Sequence, residues 1–409
     1  MSHYEDPQGT VAVVPFLRQE DGPDFIIGHS GRNHFISLPR EAVEVLDLLA
    51  SRKTLEEVQR ACLEKYGEIP DLGEFLESLE ERGFVRPGHE EVALPEIQEA
   101  STQYHFTFIP ERNAKAIFSK PVLAASAVFV LLALFALVSD PSLLPGWKAL
   151  FFQRHITANF LLLMTIGLAT AFLHEIAHLT AARAEGVLCR IGISNRLWIL
   201  VAETDMTGVW LLPRNRRYLP ILAGPWLDTV SASFLVLLFY AGRRGWVDLG
   251  QGSWRILAAV LMSYLLRLLW QCYFFVRTDF YYVYATFFNC KDLMEDTKRY
   301  LRNQLSRALG RGTPRDQQHI PEREMGAVRA YSLFWLAGRG TAFWTLFKVS
   351  VPLMFAYFGH IGSSLAHDWR SDRYAFADAM LITVIQLGFT FAGFALWIRS
   401  IYFPRRHTQ

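Results

Sequence analysis

The sequence predicts a mainly α-helical membrane protein with a small α+β domain at its N-terminus. After residue 120 the chain has several stretches of at least eighteen residues almost without charge, whereas the first hundred residues alternate apolar and charged side chains. With 409 residues, 51% of them hydrophobic, the chain is long enough for one membrane unit and one soluble domain. We therefore predict a domain at 1–92, a linker at 93–120 and a transmembrane domain at 121–409.

The first domain is predicted to place short strands before three helices. The strands are expected at 11–18, 24–29 and 34–38, and the helices at 40–50, from Thr54 onward and at 71–82. Thr54, with Glu57 three residues later, forms a capping box that marks the start of the second helix. Strands followed by three helices within about ninety residues indicate a winged-helix-like α+β unit.

This order of elements resembles the PqqD-like domain, the leader-peptide recognition element of ribosomally made peptide natural products. The resemblance includes the apolar positions Leu46, Leu49, Phe75, Leu79, Phe84 and Val85. It implies that an edge strand and the last helix capture a peptide by strand addition, which needs an exposed backbone edge and pockets for alternate side chains. Winged-helix modules share the pattern, so a regulatory wing that binds no peptide is the alternative.

Six apolar segments of the second domain are long enough to cross a bilayer. They are residues 121–139, 156–182, 217–241, 254–276, 342–360 and 377–401. An even number of spans places both termini on the same side. Lys and Arg are concentrated before the first span, after the second, after the fourth and after the last, so we expect both termini in the cytoplasm.

Charge and cysteine content exclude several classes of protein. The net charge is +2, without a basic tract interleaved with aromatic residues, so no nucleic-acid partner is expected. The opening residues MSHYEDPQGT lack the layout of a signal peptide, which favours a cytoplasmic first domain. The four cysteines lie too far apart for a zinc knuckle or a disulfide framework and are predicted to be reduced thiols: Cys62, Cys189, Cys272 and Cys290.

The most informative motif is the pentapeptide HEIAH at 174–178, near the end of the second span. Residues four apart share a helical face, so His174 and His178 can bind one zinc ion while Glu175 reaches a water molecule as general base. Such side chains are energetically costly near hydrocarbon unless they bind a ligand or pair with each other, which favours a functional role. The alternative is a structural role, in which the histidines merely hydrogen-bond a neighbouring helix. The helix rises about 27 Å before the motif, which predicts a site at the inner-leaflet edge.

A catalytic zinc site needs a third protein ligand, and Asp279 is best placed because the fourth span returns to the same face. With HEIAH, the segment RTDFYY at 277–282 resembles site-2-protease-type (M50) intramembrane metalloproteases, most closely the bacterial peptide zinc metalloprotease branch. There an Arg-x-Asp-Gly-Tyr-Tyr segment supplies the third zinc ligand; this chain has Phe280 in place of the glycine. The resemblance implies a six-helix core, bound Zn²⁺ and a place in a bacterial inner membrane.

The resemblance covers about residues 120–300. ETDMT at 203–207 and LAGP at 222–225 look like the segment that leads from the metal helix into the third span. Asp228 occupies a family position that helps to orient the third-ligand loop. By helical rise Asp228 and Arg267 lie at equal depth, so an ion pair between them is the simpler hypothesis. The supporting site candidates are Asp205, Asp228 and Arg277.

Residues 187–212 alternate β-branched and polar side chains and predict a hairpin on the cytoplasmic membrane face. A substrate helix must unwind before its carbonyl can meet the metal, and pairing with an edge strand satisfies the backbone groups that are freed. We expect this hairpin to guide the substrate. A purely structural re-entrant loop is the alternative.

Together these features predict a zinc metalloprotease that cleaves a precursor or leader-bearing peptide during maturation of a ribosomally made peptide. The expected partners are a peptide or membrane-protein substrate, the lipid bilayer and proteins of a peptide-maturation system. Two alternatives stay open. One is a non-proteolytic export or immunity component that keeps the metal for structure; the other is a regulatory site-2-type protease acting on a membrane-anchored factor.

Overall fold

The computed structural model is mainly helical, with a small sheet region near the N-terminus. It describes residues 4, 9–29, 34–67, 71–88, 109–152, 155–196, 199–290, 292–310, 322–352, 354–355, 358–359, 361–363, 366 and 372–402. Most of the predicted linker, and with it the boundary at residue 92, lies outside these ranges. The division into domains therefore stays a prediction.

The first domain has strands before three helices, as predicted, and one further strand after them that was not predicted. It consists of β1 (Val11–Val13), β2 (Leu17–Asp21), β3 (Asp24–His29), β4 (His34–Pro39), α1 (Arg40–Ala50), α2 (Leu55–Tyr66), α3 (Leu72–Glu81) and β5 (Val85–Pro87). The single strand predicted at 11–18 is wrong, because the Val14 amide turns to the Phe84 carbonyl (2.9 Å) and divides it into β1 and β2. β2, β3 and β4 form one antiparallel sheet, and β1 pairs with β5.

Local signals and core positions in this domain are confirmed. The Thr54 amide donates to Glu57 Oε2 at 2.9 Å, and the Glu57 amide donates to Thr54 Oγ1 at 3.3 Å, which completes the capping box. The predicted core residues Leu46, Leu49, Leu79, Phe84 and Val85 are at most 2% exposed, with Phe75 packed against them. Burying a side chain of this size contributes about 1.5–3 kcal/mol.

Four helices are long and apolar enough to cross a membrane, by length and composition. The short α4 (Glu111–Ile117) leads into α5 (Lys120–Ser139), and α6 (Ile156–Ala184), α7 (Arg214–Arg243) and α8 (Gly250–Gln271) follow. They correspond to the first four predicted spans and indicate a membrane protein. α7 contacts each of the other three and is the most buried of them.

The fourth helix ends at Gln271 and not at residue 276 as predicted. The Gln271 carbonyl accepts the Thr278 hydroxyl at 3.0 Å, and the chain turns between these residues before α9 (Asp279–Phe288) begins. Among the described residues, further helices are α10 (Leu293–Leu309), α11 (Glu322–Thr345), which a π-helix at Leu346–Ser350 continues, and α12 (Arg373–Tyr402). The predicted spans 342–360 and 377–401 overlap α11 and α12 but are not among the four above, so the six-helix core stays a prediction.

The predicted hairpin is confirmed as β6 (Arg190–Arg196) paired antiparallel with β7 (Ile199–Asp205). β7 lies along α6. A 3₁₀ turn, Thr207–Leu211, follows it and contacts strands β2, β3 and β4 of the first domain. The hairpin and this turn therefore lie between the first domain and the helix that carries HEIAH.

One residue of the first domain is tied to the start of α7 by a buried ion pair. Asp21 Oδ2 lies 3.1 Å from the guanidinium of Arg217, whose side chain is 2% exposed. The same guanidinium donates to the carbonyls of Trp210 and Leu212 at 2.9 and 2.8 Å. We call this group of four residues the Arg217 junction. It joins the first domain to α7 through the 3₁₀ turn.

The other end of α6 is capped from α12. Asp378 accepts hydrogen bonds from the backbone amides of Ile156 (2.7 Å) and Thr157 (3.2 Å), and the Thr157 hydroxyl donates to the Asp378 carbonyl at 2.9 Å. The first amides of a helix have no partner within it, and a carboxylate there also opposes the positive end of the helix dipole. The two helices therefore begin side by side.

Candidate metal centre

Two histidines of α6 project from one face of the helix and approach each other. The Nε2 atoms of His174 and His178 are 3.1 Å apart. Both residues are buried, His178 almost completely. The spacing of four residues has therefore placed both imidazoles at one point, as the motif predicts.

Asp279 joins them from the first turn of α9. Its Oδ2 lies 3.2 Å from His174 Nε2 and 3.5 Å from His178 Nε2. Gln271 fixes this carboxylate, because its amide nitrogen donates to Oδ2 at 2.8 Å and its Oε1 accepts the Asp279 N–H at 3.1 Å. Gln271 therefore holds the Asp279 carboxylate in the orientation that brings Oδ2 to the two imidazoles.

The backbone around Asp279 accommodates Phe280 where the family has glycine. Phe280 is the second residue of α9, and the described non-glycine residues with positive φ are Arg52 and Asn289. The position therefore does not require a left-handed conformation. Arg277 is exposed and precedes the turn of α9 that carries Asp279.

The other ring nitrogens of the two histidines are bound by acceptors. His178 Nδ1 lies 2.8 Å from the Pro220 carbonyl, which can only accept, so Nδ1 carries the proton. His174 Nδ1 lies 2.8 Å from Asp228 Oδ2, and the other oxygen of this fully buried carboxylate lies 3.4 Å from Arg267. Neutral imidazoles held in this way have a lone pair on Nε2, the state in which histidine binds a metal.

These contacts confirm one hypothesis about Asp228 and correct another. The predicted pair of Asp228 with Arg267 is present, and Arg267 is fixed further by the Thr170 carbonyl at 2.5 Å. The described partners of Asp228 are Arg267 and His174, and the side chain that orients Asp279 is Gln271. Among the described contacts, Asp228 therefore orients His174 and not the loop that carries Asp279, because its place on α7 faces α6.

The three acceptor atoms fit a small tetrahedral cation. They are 3.1, 3.2 and 3.5 Å apart, and ligand atoms about 2.0–2.1 Å from a tetrahedral zinc ion are separated by about 3.3 Å. Gly224 leaves room beside them, since a Cβ at this residue would lie 2.4 Å from both Nε2 atoms. Within the described ranges, this is the one group of His, Cys, Asp and Glu side chains close enough to share a metal ion.

Glu175 is held beside this cluster by the hairpin. The amide and the hydroxyl of Thr204, near the end of β7, each lie 2.8 Å from Glu175 Oε2. The hydroxyl also lies 3.0 Å from the Glu175 carbonyl. The described hydrogen bonds to this carboxylate all use Oε2 and leave Oε1 without a described partner.

Asp205 is not part of the metal cluster but fixes the end of the hairpin. It accepts hydrogen bonds from Arg190 at 2.9 Å and from the Thr207 hydroxyl at 2.6 Å. Burial alone would raise the pKa of Asp205, but the Thr207 hydroxyl and amide, with Arg190, hold it below its ordinary value. The predicted supporting role of Asp205 therefore lies in holding β7 in place.

The cysteines do not supply ligands to this cluster. All four are free thiols, as predicted. Burial raises the pKa of Cys189 to about 12, so this thiol stays protonated at neutral pH.

The sequence does not reveal several residues that complete the site. Gln271 belongs to no motif, Thr204 lies in the ETDMT segment without any signal of its contact with Glu175, and a backbone carbonyl such as that of Pro220 has no sequence signal. Gly224 lies in the LAGP segment, where a glycine inside an apolar helix indicates a close approach of some other group.

Comparisons with protein-family models, with curated proteins and with solved structures find no match for this chain. What the site can do must therefore follow from its own residues and their geometry.

Proposed function

We propose that this protein is a membrane-embedded zinc metallopeptidase, with His174, His178 and Asp279 as ligands and Glu175 as general base. The observation that carries the proposal is the convergence of three acceptor atoms beside a glutamate that the hairpin holds in place. Three protein ligands with an open fourth position are typical of catalytic zinc sites, whereas structural sites have four.

The residues around the cluster divide the remaining tasks. A zinc ion at this position supplies a Lewis acid that polarises a peptide carbonyl and makes water acidic enough to react near neutral pH. Glu175 takes a proton from the attacking water at Oε1 and returns it to the nitrogen of the leaving peptide. Asp228 and the Pro220 carbonyl keep both imidazoles in one tautomer, and Gln271 keeps Asp279 oriented.

The substrate we propose is a genetically encoded precursor or leader-bearing peptide, bound by the first domain and cleaved at the metal centre. This is supported by the order of strands and helices in that domain and by the contact of its sheet with the turn after β7. A bacterial inner membrane, cytoplasmic termini, six spans and partner proteins of a peptide-maturation system belong to the same proposal.

The proposal is tested by incubating the purified protein with precursor peptides encoded beside its gene and identifying products by mass spectrometry. We expect cleavage by the wild type and loss of cleavage by about 10²–10⁴-fold in Glu175→Gln. Zinc analysis of Asp279→Ala tests the ligand set separately, because full zinc occupancy in this variant would exclude Asp279.

The other outcomes distinguish the alternatives. Identical products from the wild type and from Glu175→Gln would end the protease proposal and leave a peptide-binding membrane component. Cleavage of a membrane-anchored helical substrate, without cleavage of soluble precursors, would identify a regulatory protease.

A further inference from the structure

The carboxylate of Glu175 is fixed by one residue, Thr204, whose contact with it no sequence motif indicates. Thr204 lies opposite Ile191 in the hairpin, and its amide donates away from that partner, toward α6. Thr204 is buried, at 9% exposure. Two donors of one residue, the backbone N–H and the hydroxyl, therefore meet a single carboxylate oxygen, each at 2.8 Å.

This arrangement decides which oxygen of Glu175 is available. A glutamate has three rotatable side-chain bonds, and two donors fixed in space select one of its conformations before substrate arrives. Because both described bonds fall on Oε2, Oε1 keeps the free lone pairs that a general base needs.

We propose that Thr204 is the positioning residue for the general base of this site. The hairpin then has a task besides the predicted guiding of substrate, because β7 carries the donors that set the conformation of Glu175. This inference rests on the proposed function and goes beyond it, since a peptidase could use Glu175 without any such support.

The position of Thr204 is itself held from both sides. Its neighbour Asp205 is anchored by Arg190 and Thr207, and the 3₁₀ turn that follows is anchored by Arg217 through the carbonyls of Trp210 and Leu212. The donors are therefore part of a fixed strand end and not of a loose loop.

The first test compares Thr204→Val with Thr204→Ser. The valine variant keeps the shape and the N–H but loses the hydroxyl, whereas serine keeps both donors. The probe is the peptide that the wild type cuts fastest in a proteome-derived peptide library. We expect Thr204→Val to lower kcat by about 10-fold with KM and zinc content unchanged, and Thr204→Ser to restore most of the activity.

The matched control is Thr180→Val on the same helix as Glu175. Thr180 is also buried, and its hydroxyl donates at 2.7 Å to the Ile176 carbonyl within the helix. We expect kcat within about twofold of the wild type, because such a bond has little effect on helix geometry. In a Glu175→Gln background, adding Thr204→Val should cause no further loss, since residues that act as one unit are not additive.

The second test needs neither metal nor substrate. In the metal-free protein, hydrogen exchange in peptides covering residues 201–206 should be faster by at least about tenfold in Glu175→Ala than in the wild type, because the Thr204 amide loses its acceptor. Thr180→Val should show no change in these peptides.

Three results would overturn the inference. The first is a kcat in Thr204→Val equal to that of the wild type. The second is loss of zinc from Thr204→Val, which would show that the role of Thr204 is structural. The third is unchanged hydrogen exchange of residues 201–206 in Glu175→Ala. If Thr204→Val does not fold, the serine variant and the exchange measurement decide. Wild-type activity in Glu175→Gln would instead refute the proposed function, so the two failures are distinguishable.

Discussion

The metal centre and the Arg217 junction are both buried groups of polar and charged residues. Donors are matched to acceptors at the Arg217 junction, but not at the metal centre. At the junction the Arg217 guanidinium meets the Asp21 carboxylate and two backbone carbonyls, so each described contact joins a donor to an acceptor. At the metal centre two imidazole nitrogens and a carboxylate oxygen, all acceptors, face one another across 3.1 to 3.5 Å.

This difference separates stabilising polar clusters from binding ones. Where every donor meets an acceptor, the interactions within the cluster compensate the desolvation of its charges. Removing one partner therefore lowers the free energy of unfolding. Converging lone pairs repel one another, so their arrangement is unfavourable by itself. A cation between them makes the electrostatic energy of the arrangement favourable. We therefore expect substitutions at the centre to change metal binding and substitutions at the junction to change stability.

The largest effect is expected for Gly224→Ala. The added Cβ would lie 2.4 Å from both Nε2 atoms, where it displaces the ion. Loss of an outer-shell partner lowers metal affinity by about 10–100-fold. We expect the fall in zinc affinity of Gly224→Ala, measured by competition with a chelator, to exceed about 100-fold. Gly167→Ala on α6 is the matched control, because a Cβ there meets nothing within 4 Å. Normal zinc affinity in Gly224→Ala would contradict the proposed position of the ion.

Asp228→Ala is expected to have the next largest effect. His174 loses the acceptor that fixes its tautomer, and outer-shell partners of this kind contribute about 10–100-fold in metal affinity. Asp140→Ala is the control, since Asp140 also lies 3.4 Å from an arginine, Arg243, but has no histidine among its described partners. Equal zinc affinity in both variants would show that Asp228 serves only its ion pair with Arg267.

At the junction, Asp21→Asn should reduce stability and leave zinc content unchanged. Arg217 keeps its two carbonyl acceptors, so we expect a loss of about 1–3 kcal/mol in the free energy of unfolding. Reversible denaturation in detergent measures this, and limited proteolysis reports release of the first domain. A loss of zinc without a loss of stability would reverse the assignment of the two clusters.

The smallest effect is expected for Asp47→Asn. Asp47 pairs with Arg18 at 2.8 Å, but both side chains are more than half exposed, at 53% and 54%. Exposed pairs of this kind contribute about 0–1 kcal/mol. The same denaturation experiment should therefore place this variant near the wild type and well above Asp21→Asn.

Sequence was most informative where a short-range rule applies. The capping box of Thr54 and Glu57 and the shared face of His174 and His178 depend on spacing within one helix, and both are present. Equal depth predicted the contact of Asp228 with Arg267 because antiparallel helices convert sequence position into height.

Contacts between distant segments could not be predicted in the same way. Thr204 reaches Glu175 and Gln271 reaches Asp279 only after a hairpin and a turn have formed, and no spacing rule encodes either. The end of α8 was misplaced for this reason: residues 272–276 are apolar enough to extend a span, but the turn that presents Asp279 ends the helix first.

The cap that Asp378 provides has a consequence for biogenesis. The helix carrying HEIAH is made early, yet its first amides receive their carboxylate partner from a residue more than two hundred positions later. During synthesis the amino end of α6 therefore lacks this cap until the segment containing Asp378 has been translated and has docked. The amino end of the helix that carries HEIAH is thus completed by a segment translated much later than the helix itself.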